Sequence, residues 1–156
     1  LAFIQATPNV AFYPTSRNKG PEFVDYICDS EIDIAVITET WLKSADAAAK
    51  IAATPTGYRL FNHPRPHRIG GGTGILARDS LVIKQARAGI FNSFEYSEYI
   101  IVSGSSRVRL VVIYRPPYSF NHPATVNMFI TEFADFLESV VMTIEPLLIA
   151  ERMEHK

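Results

Sequence analysis

The sequence predicts a layered domain of strands and helices, of α/β or α+β class, and three observations carry that prediction. Short runs of branched apolar residues, which are typical of strands, occur along the whole chain. Two stretches have apolar residues at the three- and four-residue spacing of a helix. The strand-like runs between residues 73 and 114 follow one another without a helix between them, which favours antiparallel pairing over a pure βαβ series.

Length and composition limit the classes of protein to which this chain can belong. The chain has 156 residues, 47% hydrophobic and 20% charged, which suits one globular domain with its own core. A net charge of -1 argues against a strongly basic nucleic-acid binder but is compatible with a local basic patch. The single cysteine, Cys28, excludes an intrachain disulfide and favours an intracellular location, the nucleus included. No apolar stretch approaches the ~20 residues that span a bilayer, so we expect no membrane partner.

The first part of the chain predicts one strand, one loop and one helix. Residues 1–6 form a short apolar run that predicts a strand, and the prolines in residues 7–20 predict a loop. Pro21 suits the first turn of a helix, where its missing N–H is not needed. The apolar face of that helix comprises Phe23, Val24, Ile27 and Cys28. We therefore expect Cys28 to be a small core residue rather than a nucleophile.

Glu39 lies at the end of the run Asp33-Ile-Ala-Val-Ile-Thr-Glu-Thr-Trp41. Its branched apolar residues predict a strand that is buried on both faces. Such a strand has no place for a carboxylate in its middle, but its carboxyl end is where open α/β sheets bind ligands. Glu39 is therefore a candidate ligand for a hard cation such as Mg²⁺, and the alternative is a solvated acid at a strand end. Trp41 is expected to be a packing residue.

The remaining elements follow from the same patterns. Ser44 is a plausible N-cap for a short alanine-rich helix over residues 44–53, and Thr125 can cap a long amphipathic helix that Pro146 ends. Strands are predicted over residues 58–61, 73–78, 81–85, 94–102, 107–114 and 147–150. A tight turn at Asp79-Ser80 is expected between two of them, and residues 103–106 suit an antiparallel hairpin. After Ala150 the strand pattern ends.

The segment His63-Pro-Arg-Pro-His-Arg68 is the densest basic stretch, and the glycines at positions 70–72 follow it. Arg65 and Arg68 are candidates for contact with nucleic acid, because glycines allow a backbone to approach phosphate closely. The alternative is an ordinary surface loop. The prolines forbid the regular helix on which His63 and His67 could share a zinc ion. Arg115 is a further candidate for phosphate contact, with a solvated charge at a strand end as the alternative.

Several motifs, taken in order and spacing, resemble the endonuclease domain of non-LTR retrotransposons, within the endonuclease/exonuclease/phosphatase superfamily. They are Arg17-Asn-Lys19, Pro21-Glu-Phe-Val-Asp-Tyr-Ile27, the run that ends in Thr-Glu-Thr-Trp41, Gly70-Gly-Gly-Thr-Gly-Ile-Leu76, Val111-Val-Ile-Tyr-Arg-Pro-Pro117 and Leu147-Leu-Ile-Ala150. The resemblance is strongest over residues 17–150. It implies a two-sheet sandwich flanked by helices and a Mg²⁺-dependent activity that nicks DNA. Glu39 matches the family's metal ligand.

Tyr114 matches the family's tyrosine beside the scissile phosphate, where a phenol can donate a hydrogen bond. Without the resemblance, packing of Tyr114 against the neighbouring prolines is the simpler interpretation. The family also has an asparagine in its metal or phosphate shell, and this register falls on Phe12 here. Asn9 could serve as that ligand only with extra residues looped out before Arg17.

The end of the chain departs from the family pattern. The apolar strand should lead into Gly-Asp-Phe-Asn, but Arg152 stands at the aspartate position and Glu154 at the asparagine position. Arginine stays protonated at any relevant pH and cannot act as a base. Glu151 could take the aspartate's role only through a one-residue slip. The family's later strands, with a catalytic histidine, are not in the sequence, and His155 lies too early to be that residue.

We therefore expect residues 1–156 to form a single incomplete domain, a remnant of a DNA-nicking endonuclease that is inactive as given. One alternative is a non-catalytic module that binds nucleic acid or a protein. The other is a fragment without present function, produced by a frameshift or splice junction after Ala150.

Overall fold

Two four-stranded sheets and three helices make up the computed structural model, which describes residues 9–14, 20–66 and 70–153. The strands are β1 (Val10–Pro14), β2 (Ile34–Thr38), β3 (Tyr58–His63), β4 (Thr73–Arg78), β5 (Val82–Ile90), β6 (Glu95–Ser103), β7 (Ser106–Arg115) and β8 (Leu147–Met153). The helices are α1 (Gly20–Asp29), α2 (Ala47–Ala52) and α3 (Val126–Val141).

The first sheet has the strand order β1-β2-β4-β3, and the second has the order β5-β6-β7-β8. Within the first sheet β1 runs parallel to β2, and the other neighbours are antiparallel. Within the second sheet β5, β6 and β7 are antiparallel, and β8 runs parallel to β7. Both sheets are therefore mixed, with one parallel pair at an end of each.

The main core lies between the two sheets. It comprises Ile34, Val36, Ile75, Ala77, Leu81, Tyr99, Ile101, Leu110 and Val112. Side chains alternate along β2, so Ile34 and Val36 face this core while Ala35 and Ile37 face α1. All five residues of β2 are buried, which confirms the prediction of a strand covered on both faces.

The helices α1 and α3 cover the outer faces of the sheets. Phe23 and Ile27 of α1 pack on the first sheet, and three residues of α3, Phe129, Phe136 and Val140, pack on the second. The result is an α+β sandwich flanked by helices, as predicted. Cys28 is exposed, so its prediction as a core residue is wrong: it lies one position, about 100°, around the helix from Ile27. Among the described residues no helix is long and apolar enough to cross a membrane.

Two local predictions are confirmed in detail. The Thr125 hydroxyl accepts a hydrogen bond of 3.2 Å from the backbone N–H of Met128 and so caps α3. The hairpin between β6 and β7 pairs Ser103 with Ser106, and Gly104 adopts φ +58° at its turn.

Some other local predictions are wrong. Part of the expected loop over residues 7–20 is β1, because Val10–Pro14 pairs along the whole length of β2. Pro14 is tolerated there because β1 is an edge strand of the sheet as described, and proline lacks only the N–H that a further strand would need. Ser44 does not cap α2, which begins after Asp46. The tight turn at Asp79-Ser80 is present as predicted, and it carries the chain from the first sheet to the second. The predicted strand over residues 1–6 lies outside the described residues.

Strand β8 continues to Met153, three residues beyond its predicted end at Ala150. Its register with β7 runs without interruption from Arg109↔Leu147 to Arg115↔Met153. Backbone pairing makes the same hydrogen bonds whether a side chain is apolar or charged, so the polar residues after Ala150 still form strand. The strand is only partly buried, since Leu148 is 42% exposed.

Candidate functional site

Polar side chains from both sheets meet at the edge of the sandwich where β2, β7 and β8 end. Glu39 follows the last residue of β2, while Tyr114 and Arg152 lie near the ends of β7 and β8. Tyr114 and Arg152 are direct partners in the parallel register, so their side chains share one face. That face is turned toward the first sheet, because Val112 and Ala150, two positions earlier on each strand, pack in the core between the sheets.

Each oxygen of the Glu39 carboxylate has a partner among the described residues. The Tyr114 hydroxyl donates a hydrogen bond of 2.7 Å to Glu39 Oε1. A guanidinium nitrogen of Arg152, Nη1, lies 3.4 Å from Glu39 Oε2. The side chains of Arg152 and Glu39 are 24% and 19% exposed, so the ion pair is mostly shielded from water. The structure thus brings together Glu39 and Tyr114, the two residues that the resemblance placed in one site.

The backbone around Glu39 is strained. Glu39 and Trp41 both adopt φ +55°, a left-handed conformation that is uncommon outside glycine. The backbone N–H groups of Thr40 and Trp41 donate to the carbonyls of Gly72 and Gly71, at 3.3 and 3.1 Å. These bonds hold the strained turn in place, and such strain is concentrated at functional sites in proteins.

The glycines at positions 70–72 all have positive φ, between +71° and +90°. A Cβ atom at Gly71 would overlap the guanidinium of Arg65, and one at Gly72 would overlap the Thr40 hydroxyl. The aromatic ring of Trp41 lies against Gly70, where a Cβ atom would be 3.1 Å from it. The glycines therefore leave room for the side chains of Arg65, Thr40 and Trp41. The sequence had suggested that the same glycines let the backbone approach a phosphate.

Arg65 is buried in an ion pair with Glu95. The Arg65 Nε atom donates to Glu95 Oε1 at 2.9 Å, and the two side chains are only 9% and 2% exposed. The backbone N–H of Gly72 donates to the other Glu95 oxygen at 3.0 Å, and His122 Nε2 lies 3.3 Å from Arg65 Nη1. Arg65 thus lies in a shielded ion pair rather than on an open surface, and its contact with nucleic acid stays a prediction. The second arginine of that prediction, Arg68, lies outside the described residues.

Arg115 lies on the opposite face of the second sheet from Tyr114. Its guanidinium carbon is 4.8 Å from the centre of the Phe129 ring, so the charge packs against α3. Successive side chains of a strand point to opposite faces, which is why neighbouring residues of β7 separate in this way. The predicted phosphate contact of Arg115 is therefore not part of the Glu39 site.

Asn9 lies at the opposite end of the first sheet from Glu39. It precedes Val10, which pairs with the first residue of β2, whereas Glu39 follows the last. The Asn9 backbone N–H donates to Asp33 Oδ2 at 2.8 Å, and its side chain donates to the Ser30 carbonyl at 3.3 Å. The structure does not bring Asn9 and Glu39 together.

Glu151 lies on the α3 side of β8, because Leu147 and Ile149 at alternate positions pack against that helix. Burial raises the pKa of the Glu151 carboxyl, and the charge of Arg115 opposes that rise. Glu151 therefore faces away from Glu39, and only a shift in register would bring it to the place that Arg152 holds.

The residues around Glu39 do not fit a divalent cation as they are arranged. Mg²⁺ requires octahedral oxygen ligands, usually including one or two carboxylates. The Glu39 carboxylate instead faces a phenol and a guanidinium, which are a donor and a cation. Across the described ranges, no group of three or more histidine, cysteine, aspartate or glutamate residues is placed to hold a metal ion.

A cleft of about 460 Å³ opens beside the Arg65–Glu95 pair. Its walls combine apolar and polar groups from the end of β5 and from nearby loops: Pro66, Ile90, Phe91, Asn92, Phe94, Pro116 and His122. Sequence reasoning missed this cleft and also Glu95. One signal in the sequence could have identified Glu95. It lies near the start of a predicted strand, two and four positions before the buried residues Ser97 and Tyr99, so alternation places it on the same inward face.

Comparison with solved structures identifies the fold to which this site belongs. No family model matches the sequence, and no curated protein matches it. The structure is similar to truncated Caenorhabditis elegans TDP2, with TM-score 0.62 and 13% identity over 92% of this chain and 61% of that chain. It is also similar to the endonuclease domain of TRAS1, a telomere-specific non-LTR retrotransposon, with TM-score 0.62 and 14% identity over 91% of this chain and 57% of that one.

A third similar structure is an endonuclease/exonuclease/phosphatase family protein from Bacteroides thetaiotaomicron, with TM-score 0.60 and 11% identity over 93% of this chain and 64% of that one. The chain thus spans less than two thirds of the length of each of these structures. Identities this low establish the fold and not the activity. The chain has the endonuclease/exonuclease/phosphatase-like fold that its ordered motifs indicated.

Proposed function

We propose that this chain derives from a DNA-nicking endonuclease of a non-LTR retrotransposon and that, as given, it does not cleave DNA. The observation that carries the proposal is the hydrogen bond between Tyr114 and Glu39 at the edge of this fold. A carboxylate on a strained turn and a buried phenol, contributed by different sheets, form a built site rather than a surface coincidence. The likeness to the TRAS1 endonuclease domain supports the same origin.

The loss of cleavage follows from the chemistry of the groups around Glu39. Hydrolysis of a phosphodiester needs a base that activates water and a positive charge that stabilises the phosphoryl oxygens. Arg152 cannot accept a proton, and the Tyr114 hydroxyl acts as a hydrogen-bond donor to Glu39. Both carboxylate oxygens of Glu39 already have a partner. The described site therefore offers contacts to a phosphate but no free base.

A nicking assay tests this proposal directly. Supercoiled plasmid is incubated with the purified chain and Mg²⁺, beside the variants Glu39→Gln and Glu138→Gln. Glu138 is exposed on α3 and serves as the matched control. We expect all three proteins to give the same background of nicked circles. Nicking by the wild-type chain that Glu39→Gln abolishes and Glu138→Gln preserves would show that the site is active.

A second candidate function is a non-catalytic module that binds nucleic acid. The cleft beside Arg65 and Glu95 favours it, because its volume of about 460 Å³ and its mixed lining suit a nucleotide. Phe91 could stack against a base, and Asn92 and His122 could donate or accept hydrogen bonds at its edge. A similar fold, that of D. rerio TDP2, has been solved in complex with a single-strand DNA product.

Filter binding with a short single-stranded DNA, repeated over a salt series, tests the binding module. Contact with phosphates predicts an affinity that falls steeply as salt rises. Asn92→Ala should weaken binding, whereas Asn127→Ala on the exposed surface of α3 should not. Binding that is absent at low salt would exclude this candidate and leave a protein-binding module or a fragment without present function.

A further inference from the structure

We infer that Arg152 is the resident cation of the Glu39 site, so that its guanidinium takes the place of a divalent metal ion and keeps one out. The inference rests on the proposed function, since it concerns the same site. It starts from the contact of Arg152 Nη1 with Glu39 Oε2 at 3.4 Å, while Tyr114 occupies the other oxygen. Each oxygen of the carboxylate thus already has a donor or a cation beside it.

Arg152 is placed by the fold rather than by chance. An arginine on a loose surface segment can move away from an ion pair, and such pairs contribute little. Arg152 instead lies within β8, where it is the register partner of Tyr114. Its side chain is directed at the first sheet by the alternation of the strand and is only 24% exposed. The pairing that positions Tyr114 therefore also fixes the backbone of Arg152 and the face of the sheet from which its side chain extends.

The charges at this edge are balanced in pairs. Glu95, Tyr114 and Arg152 lie side by side on neighbouring strands, and all three face the first sheet. Arg65 neutralises Glu95, and Arg152 neutralises Glu39. A divalent cation that approached Glu39 would meet a carboxylate without net attraction and would be repelled by the nearby guanidinium. Each of these two carboxylates therefore already has a cationic partner among the described residues.

Titration with Mn²⁺, followed by thermal unfolding and by electron paramagnetic resonance, tests the inference without any DNA. The wild-type chain should show no saturable Mn²⁺ effect beyond that of matched ionic strength. Arg152→Asp removes the guanidinium and adds a second carboxylate beside Glu39. It should gain saturable Mn²⁺ binding by electron paramagnetic resonance and a rise in Tm of about 3–6 °C at ten times the Kd. The double variant Arg152→Asp, Glu39→Gln should lose that gain.

The matched control is Arg59→Asp, which places a second carboxylate beside Asp79 at an exposed ion pair of 3.2 Å. It should not respond to Mn²⁺, and neither should Arg152→Lys, which keeps the positive charge. Saturable Mn²⁺ binding by the wild-type chain that Glu39→Gln abolishes would overturn the inference, as would equal responses of Arg152→Asp and Arg59→Asp. If Arg152→Asp does not fold, the wild-type and Arg152→Lys titrations still decide. Plasmid nicking by the wild type would refute the proposed function independently of these titrations.

Discussion

The Tyr114 hydroxyl and the Glu39 carboxylate are joined by a hydrogen bond of 2.7 Å across 75 residues of sequence. The two residues belong to different sheets, so the bond ties the two halves of the sandwich together at one edge. The same contact therefore belongs both to the candidate site and to the packing of the sheets. Variants of the site must be examined for stability before their chemistry is interpreted.

Replacing Tyr114 with phenylalanine removes the hydrogen bond and keeps the ring. A hydrogen bond to a charged group contributes about 1.5–3 kcal/mol, so we expect the free energy of unfolding to fall by about 2 kcal/mol. Urea denaturation measures this change. The control is Tyr118→Phe at a side chain that is 62% exposed, where a change within about 0.5 kcal/mol is expected. Equal effects of the two substitutions would show that the bond contributes nothing to folding.

Glu98 is a fully buried carboxylate between two arginines. It contacts Arg109, which is 14% exposed, and accepts a bond of 2.8 Å from Arg87. Glu98→Gln removes the carboxylate that both arginines share and leaves Arg109 with Glu145, at 3.1 Å, as its described counter-ion. The unfolding free energy should therefore fall by about 3 kcal/mol. Chemical denaturation measures the loss, and Glu138→Gln on the exposed side of α3 is the control. A loss no larger than that of the control would mean that other groups or water stabilise the Arg109 charge when Glu98 is replaced.

Glu132 should make the protein less stable in acid. Burial raises the pKa of this carboxyl, but hydrogen bonds from Ser93 and Asn92 outweigh burial and hold the pKa below its ordinary value. A lowered pKa contributes stability that is present above the pKa of the unfolded chain and is lost as pH falls through the pKa of the folded protein. Between about pH 6 and pH 3 the stability of Glu132→Gln should therefore decline less steeply than that of the wild type.

Glu151 should act in the opposite direction. Burial raises its pKa against the effect of Arg115, so the folded protein holds this proton more readily than the unfolded chain. The favourable protonated form is lost as pH rises through the raised pKa. Glu151→Gln should thus be more stable than the wild type at neutral pH, and the difference should shrink on acidification. Urea midpoints at several pH values measure it, and a Glu151→Gln protein that is less stable at neutral pH would contradict the sign.

The elements that the sequence predicted well are those with a strong local pattern. The continuous apolar run of β2 places Glu39 at its end, and the cap at Thr125 and the periodicity after it define α3. Such signals lie within about one helical turn or a few strand residues, so the sequence alone reveals them. The pairing of Glu39 with Tyr114 came instead from ordered motifs that resemble a family.

The elements that the sequence missed depend on distant pairing. Strand β1 and the end of β8 lack a distinctive pattern, and each is strand because a neighbour supplies the hydrogen bonds. Arg65 and Glu95 are 30 residues apart, and no local sequence pattern indicates that they form an ion pair. A basic loop with prolines and glycines is typical of an exposed surface, and the buried acid opposite Arg65 overrides that expectation.

The unbroken register of β7 with β8 means that the fold at this edge does not depend on which side chain stands at position 152. The ladder that fixes position 152 is made by main-chain groups, which are the same for every amino acid except proline. A single codon at that position can therefore exchange a charge at the sandwich edge while the scaffold is preserved. Shape similarity to nucleases is consequently a poor guide to turnover in chains of this kind, and the residue beside the tyrosine on the adjoining strand is the one to inspect first.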